Sequence, residues 1–172
     1  MPSTVRWEDD GARLALTQTG NYPYDGKIVF SLAASNPADM TLHFRIPAWA
    51  SKAQVRVNGQ PQPGIMAGRF ASVRRTWRSG DKVELLLPLP MSLEPIDARH
   101  PSTAALVRGP LVLMAVKPEM DAPVPMLSRS ALLGARHAGT AEWHVETRRG
   151  PIILTPFTEL GSRPYSAYLN IS

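Results

Sequence analysis

Apolar side chains recur at every second position through much of the chain, the period that gives a β-strand one face in a core and one in water. Ile28, Phe30 and Leu32 share one parity against Lys27, Val29 and Ser31. Leu42, Phe44 and Ile46 do the same against Thr41, His43 and Arg45, after a turn predicted at Asn36-Pro37-Ala38-Asp39 and before a stop at Pro47. Val55 and Val57 follow, and Asn58-Gly59 predicts a tight turn because both residues tolerate positive φ. The loop then lengthens through Pro61-Gln62-Pro63-Gly64. Ala71, Val73, Arg75 and Trp77 share a parity, so Arg75 requires a partner or an opening in the buried face. After the turn Arg78-Ser79-Gly80-Asp81, Val83, Leu85 and Leu87 form one face of the next strand, with Leu86 on the other and Pro88 and Pro90 ending it.

The pattern then changes. A shift in composition at Glu94-Pro95-Ile96-Asp97 predicts a boundary between two units, 1–95 and 96–172, with strands possible to share. Thr103 to Val107 and Leu111 to Val116 predict a hairpin around Arg108-Gly109-Pro110. Lys117 to Pro125 reads as a surface loop, and Leu127 to Leu133 is ambiguous. Strands are expected again at Glu142 to Thr147, Ile152 to Thr155 and Tyr165 to Ile171, with a turn at Arg148-Arg149-Gly150-Pro151. Short strands and frequent turns predict an all-β fold: an antiparallel β-sandwich, built as two small sandwich units packed together.

Composition agrees and removes several functions. The chain has 172 residues, 44% hydrophobic and 19% charged, which is enough apolar material for a folded core. It contains no cysteine, so disulfides, thiolate metal sites and cysteine nucleophiles are excluded. The start, Met1-Pro2-Ser3-Thr4-Val5-Arg6, lacks the apolar stretch of a secretory signal and is expected to be an internal boundary or a cytoplasmic start. Leu111–Val116, the longest apolar run, is far short of the ~20 residues that span a bilayer, so no membrane partner is expected. A net charge of +5 raises nucleic acid as a partner. Its densest clusters, Arg74-Arg75 with Arg78 and Arg148-Arg149, lack interleaved aromatics, and no nucleic-acid site is expected.

Five segments together are more specific than their periods. Phe44-Arg45-Ile46-Pro47-Ala48-Trp49-Ala50, Val55-Arg56-Val57-Asn58-Gly59, Arg75-Thr76-Trp77-Arg78-Ser79-Gly80-Asp81, Leu85-Leu86-Leu87-Pro88-Leu89-Pro90 and Val107-Arg108-Gly109-Pro110-Leu111-Val112 follow in an order and spacing that resemble the C-terminal β-sandwich region of glycoside hydrolase family 127, the β-L-arabinofuranosidase family. Asn21-Tyr22-Pro23-Tyr24-Asp25-Gly26, Pro156-Phe157, Tyr165 and Tyr168 fit the same pattern, so the resemblance covers nearly the whole chain. It implies a parent enzyme whose (α/α)6 barrel precedes this region and hydrolyses β-L-arabinofuranosides with retention, through a zinc-bound cysteine nucleophile and a glutamate acid/base. None of those residues carries over to a chain without cysteine or barrel. The implied role is a non-catalytic accessory module whose partner is the catalytic barrel, with no cofactor of its own.

Other chemistry is weaker. Glu94 with Asp97 and Glu119 with Asp121 offer the two carboxylates that glycoside hydrolysis needs, but both pairs sit in Pro-rich loops where solvated carboxylates are ordinary. Glu142, His144 and Glu146 alternate along one strand and could seed a metal site only with ligands from elsewhere; the plainer reading is a polar face opposite Trp143 and Val145. Ser79-Gly80-Asp81-Lys82 has the Ser-x-x-Lys spacing, but on a turn rather than a helix. The alternative function is an independent carbohydrate-binding module for plant-type saccharides, with sugar rings stacked on aromatic side chains. Tyr22, Tyr24, Trp49 and Trp77 are the candidates, either for that platform or for a domain interface, while the parity of Trp77 with Val73 also fits a core position.

Overall fold

The computed structural model describes residues 2–172. Two compact units divide between Leu89 and Pro90, ahead of the composition change at Glu94–Asp97. In the first, β1 (Ser3–Asp9), β2 (Ala12–Gly20), β3 (Lys27–Ala34), β5 (Gln54–Val57), β6 (Gln60–Pro61) and β8 (Lys82–Leu86) form a six-stranded sheet in the order β1-β2-β3-β8-β5-β6. A second sheet holds only β4 (Ala38–Arg45) and β7 (Phe70–Trp77). Every ladder in this unit is antiparallel. The predicted parities put Ile28, Leu32, Val55, Val57, Val83, Leu85 and Leu87 in one buried cluster with Phe44, Ala71, Val73 and Trp77 from the smaller sheet. Phe30 and Phe44 meet across the two layers with ring centroids 5.0 Å apart. This is a β-sandwich of unequal layers.

Some predicted boundaries move. Ala38 and Asp39, expected in a turn, begin β4 and pair with Trp77 and Thr76. The β1–β2 hairpin, which turns on Asp10 (φ 44°) and Gly11 (φ 73°), is an addition to the expected elements. Asn58 (φ 50°) and Gly59 (φ 81°) both take positive φ, as their turn requires. Their hairpin joins β5 to the two-residue β6.

The second unit is one branched antiparallel sheet. β9 (Met91–Pro95), β10 (Thr103–Arg108), β11 (Leu111–Val116), β12 (Arg136–Gly139), β13 (Glu142–Val145) and β14 (Ile152–Pro156) are joined by β15 (Tyr165–Ser166) and β16 (Leu169–Asn170). The β10–β11 hairpin pairs only from Leu106 to Leu113 around Gly109. Beyond that β10 takes β16 and β11 takes β15, so Tyr165 to Ile171 supplies two short strands instead of one. Ala104, Ala105 and Leu106 are buried in succession, as are Leu113, Met114 and Ala115, so these strands are covered on both faces. The ambiguous stretch becomes a single turn of helix, α1 (Arg129–Leu133), capped by Ser128, whose hydroxyl accepts from the Ala131 N–H at 3.2 Å, and anchored by the buried Leu132.

Candidate functional site

The family-like segments before Leu89 converge on two places in the first unit, while Val107–Val112 forms the β10–β11 hairpin of the second. One is a buried knot at the strand ends. Asp81 has a side chain only 10% exposed. It accepts from Asn58 Nδ2 at 2.7 Å and from the Arg78 N–H at 2.9 Å, and lies 3.7 Å from Arg75 Nη2. Asn58 Oδ1 in turn accepts from the Lys82 N–H at 2.8 Å. Burial by itself pushes the Asp81 carboxyl up, but the Asn58 and Arg78 hydrogen bonds, with the Arg75 and Arg78 charges, outweigh it and hold the group below its ordinary value. Arg75 thus has its partner, and its guanidinium also lies 5.4 Å from the centre of the Trp77 ring. The knot ties the Asn58 turn to the Asp81 turn, which is a structural task.

The other is the Asn21–Gly26 turn. Asn21 O accepts from the Tyr24 and Asp25 N–H groups at 2.9 and 3.0 Å, and Asp25 Oδ1 accepts from the Lys27 N–H. Gly26 lies so close to Leu87 that a Cβ would sit 1.9 Å from the Leu87 carbonyl oxygen. The Leu87 N–H donates to Gly26 O at 2.9 Å, which fixes the turn against the end of β8. So held, Tyr22 lines a cleft of about 360 Å³ with Leu16, Gln18, Phe30 and the stretch Leu42–Arg45. Burial raises the Tyr22 phenol above its usual value.

The four aromatic candidates therefore part company. Trp77 is fully buried, and its Nε1–H donates to Met40 O at 3.1 Å. It belongs to the core and offers no face to a sugar or a partner, because its parity with Val73 turns it inward. Tyr22, Tyr24 and Trp49 are half-buried, and Tyr22 and Trp49 pack on the rim of the core. The more exposed aromatics are others: Phe70, 62% exposed under the Arg45 guanidinium, and Phe157, 61% exposed and edge-on to Tyr165 at 6.1 Å. Sequence parity marks Phe70 as outward-facing, and that signal was available.

The acidic candidates sit where solvated groups sit. Asp97 caps its own turn, accepting from the Arg99 and His100 N–H groups and pairing with His100 Nδ1 at 2.8 Å, while Glu94 accepts from Ser92 Oγ. Glu142 faces His144 Nε2 at 3.9 Å and Arg163 Nη1 at 3.8 Å, with Trp143 and Val145 buried on the opposite face. Among the described residues no three His, Cys, Asp or Glu side chains gather as a metal site would need.

Fold and site together define an all-β sandwich module in which the sequence-specific residues do structural work. The model of the middle domain of GH127 β-L-arabinofuranosidases matches residues 1–89, and the chain belongs to that family. Solved structures share the fold over the whole chain. A chain titled glycoside hydrolase is 21% identical with a TM-score of 0.78, covering 99% of this chain and 34% of its own. A GH127 β-L-arabinofuranosidase from Geobacillus stearothermophilus T6 is 22% identical with a TM-score of 0.77, covering 98% and 32%. A GH127 β-arabinofuranosidase is 20% identical with a TM-score of 0.74, covering 99% and 34%. The chain thus spans about a third of the length of these structures. No curated protein sequence matches it.

Proposed function

We propose that the chain is a non-catalytic accessory module of a β-L-arabinofuranosidase-like glycoside hydrolase, and that it buttresses a catalytic barrel carried elsewhere in the parent polypeptide. The observation that carries this reading is the mismatch in coverage: nearly all of this chain finds a counterpart, but only in a third of each solved relative. The chemistry points the same way. The usual form of retaining hydrolysis sets two carboxylates on one bond, whereas Asp97 is engaged by its own turn and Asp81 is locked in the knot. A cysteine nucleophile is impossible in a chain with zero Cys.

The test is an assay of the purified chain and of its parent polypeptide with an aryl β-L-arabinofuranoside. Turnover by the parent and none by the chain is the expected result. Turnover by the chain that persists through purification to homogeneity and tracks with the folded protein would reject the module.

A further inference from the structure

The cleft beside Tyr22 is bordered by a strand edge rather than a strand face. Leu42, His43, Phe44 and Arg45 all line it, although consecutive residues of a strand point to opposite faces. Both parities reach one space only where the edge of β4 adjoins that space. On its other side β4 pairs with β7 over eight unbroken positions, from Ala38↔Trp77 to Arg45↔Phe70. The ladder continues at Ile46, whose N–H donates to Arg69 O at 2.9 Å. Because hydrogen-bonding direction alternates along an antiparallel strand, the even-numbered residues bond toward β7. Asp39, Thr41, His43 and Arg45 therefore turn their N–H and C=O groups to the free edge, where no described strand pairs with them.

That edge stands next to uncovered apolar surface. The six-stranded layer is wider than its two-stranded cover, and Leu16, Tyr22, Phe30 and Leu42 remain only partly buried against the core. The β4 edge has no bulge and no proline between Ala38 and Arg45, and its charged residues, Asp39 and Arg45, sit at its two ends, so the stretch Met40–Phe44 between them carries few of the devices that normally blunt such an edge.

We infer that β4 is the acceptor strand of a β-addition site. An extended segment from the remainder of the parent polypeptide pairs with Asp39–Arg45 and drops alternate apolar side chains into the cleft over Leu16 and Phe30. This rests on the accessory-module reading, and names the surface through which the module is joined. The occupant follows from coverage: about two-thirds of the length of each solved relative lies outside the part this chain matches, so the parent supplies ample chain in cis. β-addition uses main-chain hydrogen bonds for affinity and alternate side chains for selectivity, which is what a free edge beside an apolar cleft provides.

Residue-resolved hydrogen exchange on the isolated chain and on the parent polypeptide tests this. In the isolated chain the amides of Thr41, His43 and Arg45 should exchange quickly while those of Leu42 and Phe44 are protected by β7. In the parent the first three should slow by at least about 100-fold. A second arm uses Leu42→Lys, whose ammonium can reach water from the half-exposed rim of the isolated chain but bars an apolar occupant. The isolated variant should keep its circular dichroism and melting profile, and the parent variant should lose the edge protection. Fast exchange at those three amides in a hydrolytically active parent would overturn the strand addition and leave the module reading intact. Edge protection that appears in the isolated chain as it dimerises with rising concentration would overturn it in favour of a second copy.

Discussion

The two units reach burial by different routes. In the first, β1–β2 and β2–β3 pair over seven positions each and β4–β7 over eight, and the β2–β3 and β4–β7 ladders present one parity to the core. In the second, the longest ladder, β9–β10, has five positions, and strands exchange partners midway. Among the described residues each unit also buries one polar side chain, and the two differ in kind. Asp81 carries charge and joins two turns, whereas the neutral Thr155 hydroxyl donates to Ala141 O at 2.9 Å. Long ladders with one covered face write a period-two signal into the sequence; short ladders covered on both faces depend on contacts far apart in the chain. The family match, confined to residues 1–89, falls on the unit with the stronger local signal.

The largest effect should come from the core tryptophans, and it should be unequal. Trp77 has no exposed surface, with one long side chain, Arg75, over its ring at 5.4 Å and the core of the two layers around the rest. Trp143, 3% exposed, has two such neighbours, His137 at 4.9 Å and Arg108 at 5.3 Å, both able to fold inward. Trp77→Ala is expected to cost about 3–5 kcal/mol, and Trp143→Ala at least about 1 kcal/mol less because its site can partly collapse. Urea titrations followed by circular dichroism measure both. Equal losses would mean that the two cores are equally rigid, and the contrast between the units would fail.

What the sequence showed follows the same division. The parity of Ile28, Phe30 and Leu32, of Val55 and Val57, and of Val83, Leu85 and Leu87 was legible because each has one wet face. The β1 strand was not, since nearly all of it is exposed and its only partly buried residue is Trp7. In the second unit β12 is exposed throughout and α1 buries only Leu132, so neither carries a readable period. The placement of Tyr22 at a cleft depended on the mismatch between a six-stranded and a two-stranded layer, which no local window contains. Trp77 could be assigned to the core by parity, and its neighbours Arg75 and Asp81 explain why a charged residue shares that face.

Glycines in the first unit offer effects of intermediate size and separate two physical causes. Gly26→Ala places a methyl group against the Leu87 backbone, which cannot rotate away, and should cost about 1–3 kcal/mol through forced backbone movement. Gly59 has open space where a Cβ would go, so Gly59→Val is opposed only by its φ of 81° and should cost on the order of 1 kcal/mol. Gly59→Asn, which tolerates positive φ, should recover much of that loss, while no side chain should rescue position 26. Chemical denaturation midpoints rank the three; a harmless Gly26→Ala would mean that the turn is not pressed on β8.

The smallest effect is a pH dependence carried by one buried side chain of the first unit. Asp81 has a folded-state value below the ordinary one, so its stabilisation is fully present above the unfolded value, near pH 4, and is lost as pH falls through the folded value. Glu84 is also lowered, by the hydrogen bond and charge of Lys27 at 2.9 Å, but that pair lies in solvent and is screened by salt. Thr155 does not titrate. Denaturation of the first unit should therefore shift to lower urea between about pH 5 and pH 2, and the shift should persist in about 1 M sodium chloride, where the Glu84 contribution fades. Asp81→Asn keeps the shape of the side chain, lowers stability at neutral pH and should flatten the acid slope. A tryptophan-selective probe of Trp77 against Trp143 assigns the slope to a unit. If Asp81→Asn leaves the slope at Trp77 unchanged in high salt, the knot is not the acid-sensitive element and the electrostatic contrast between the units is lost.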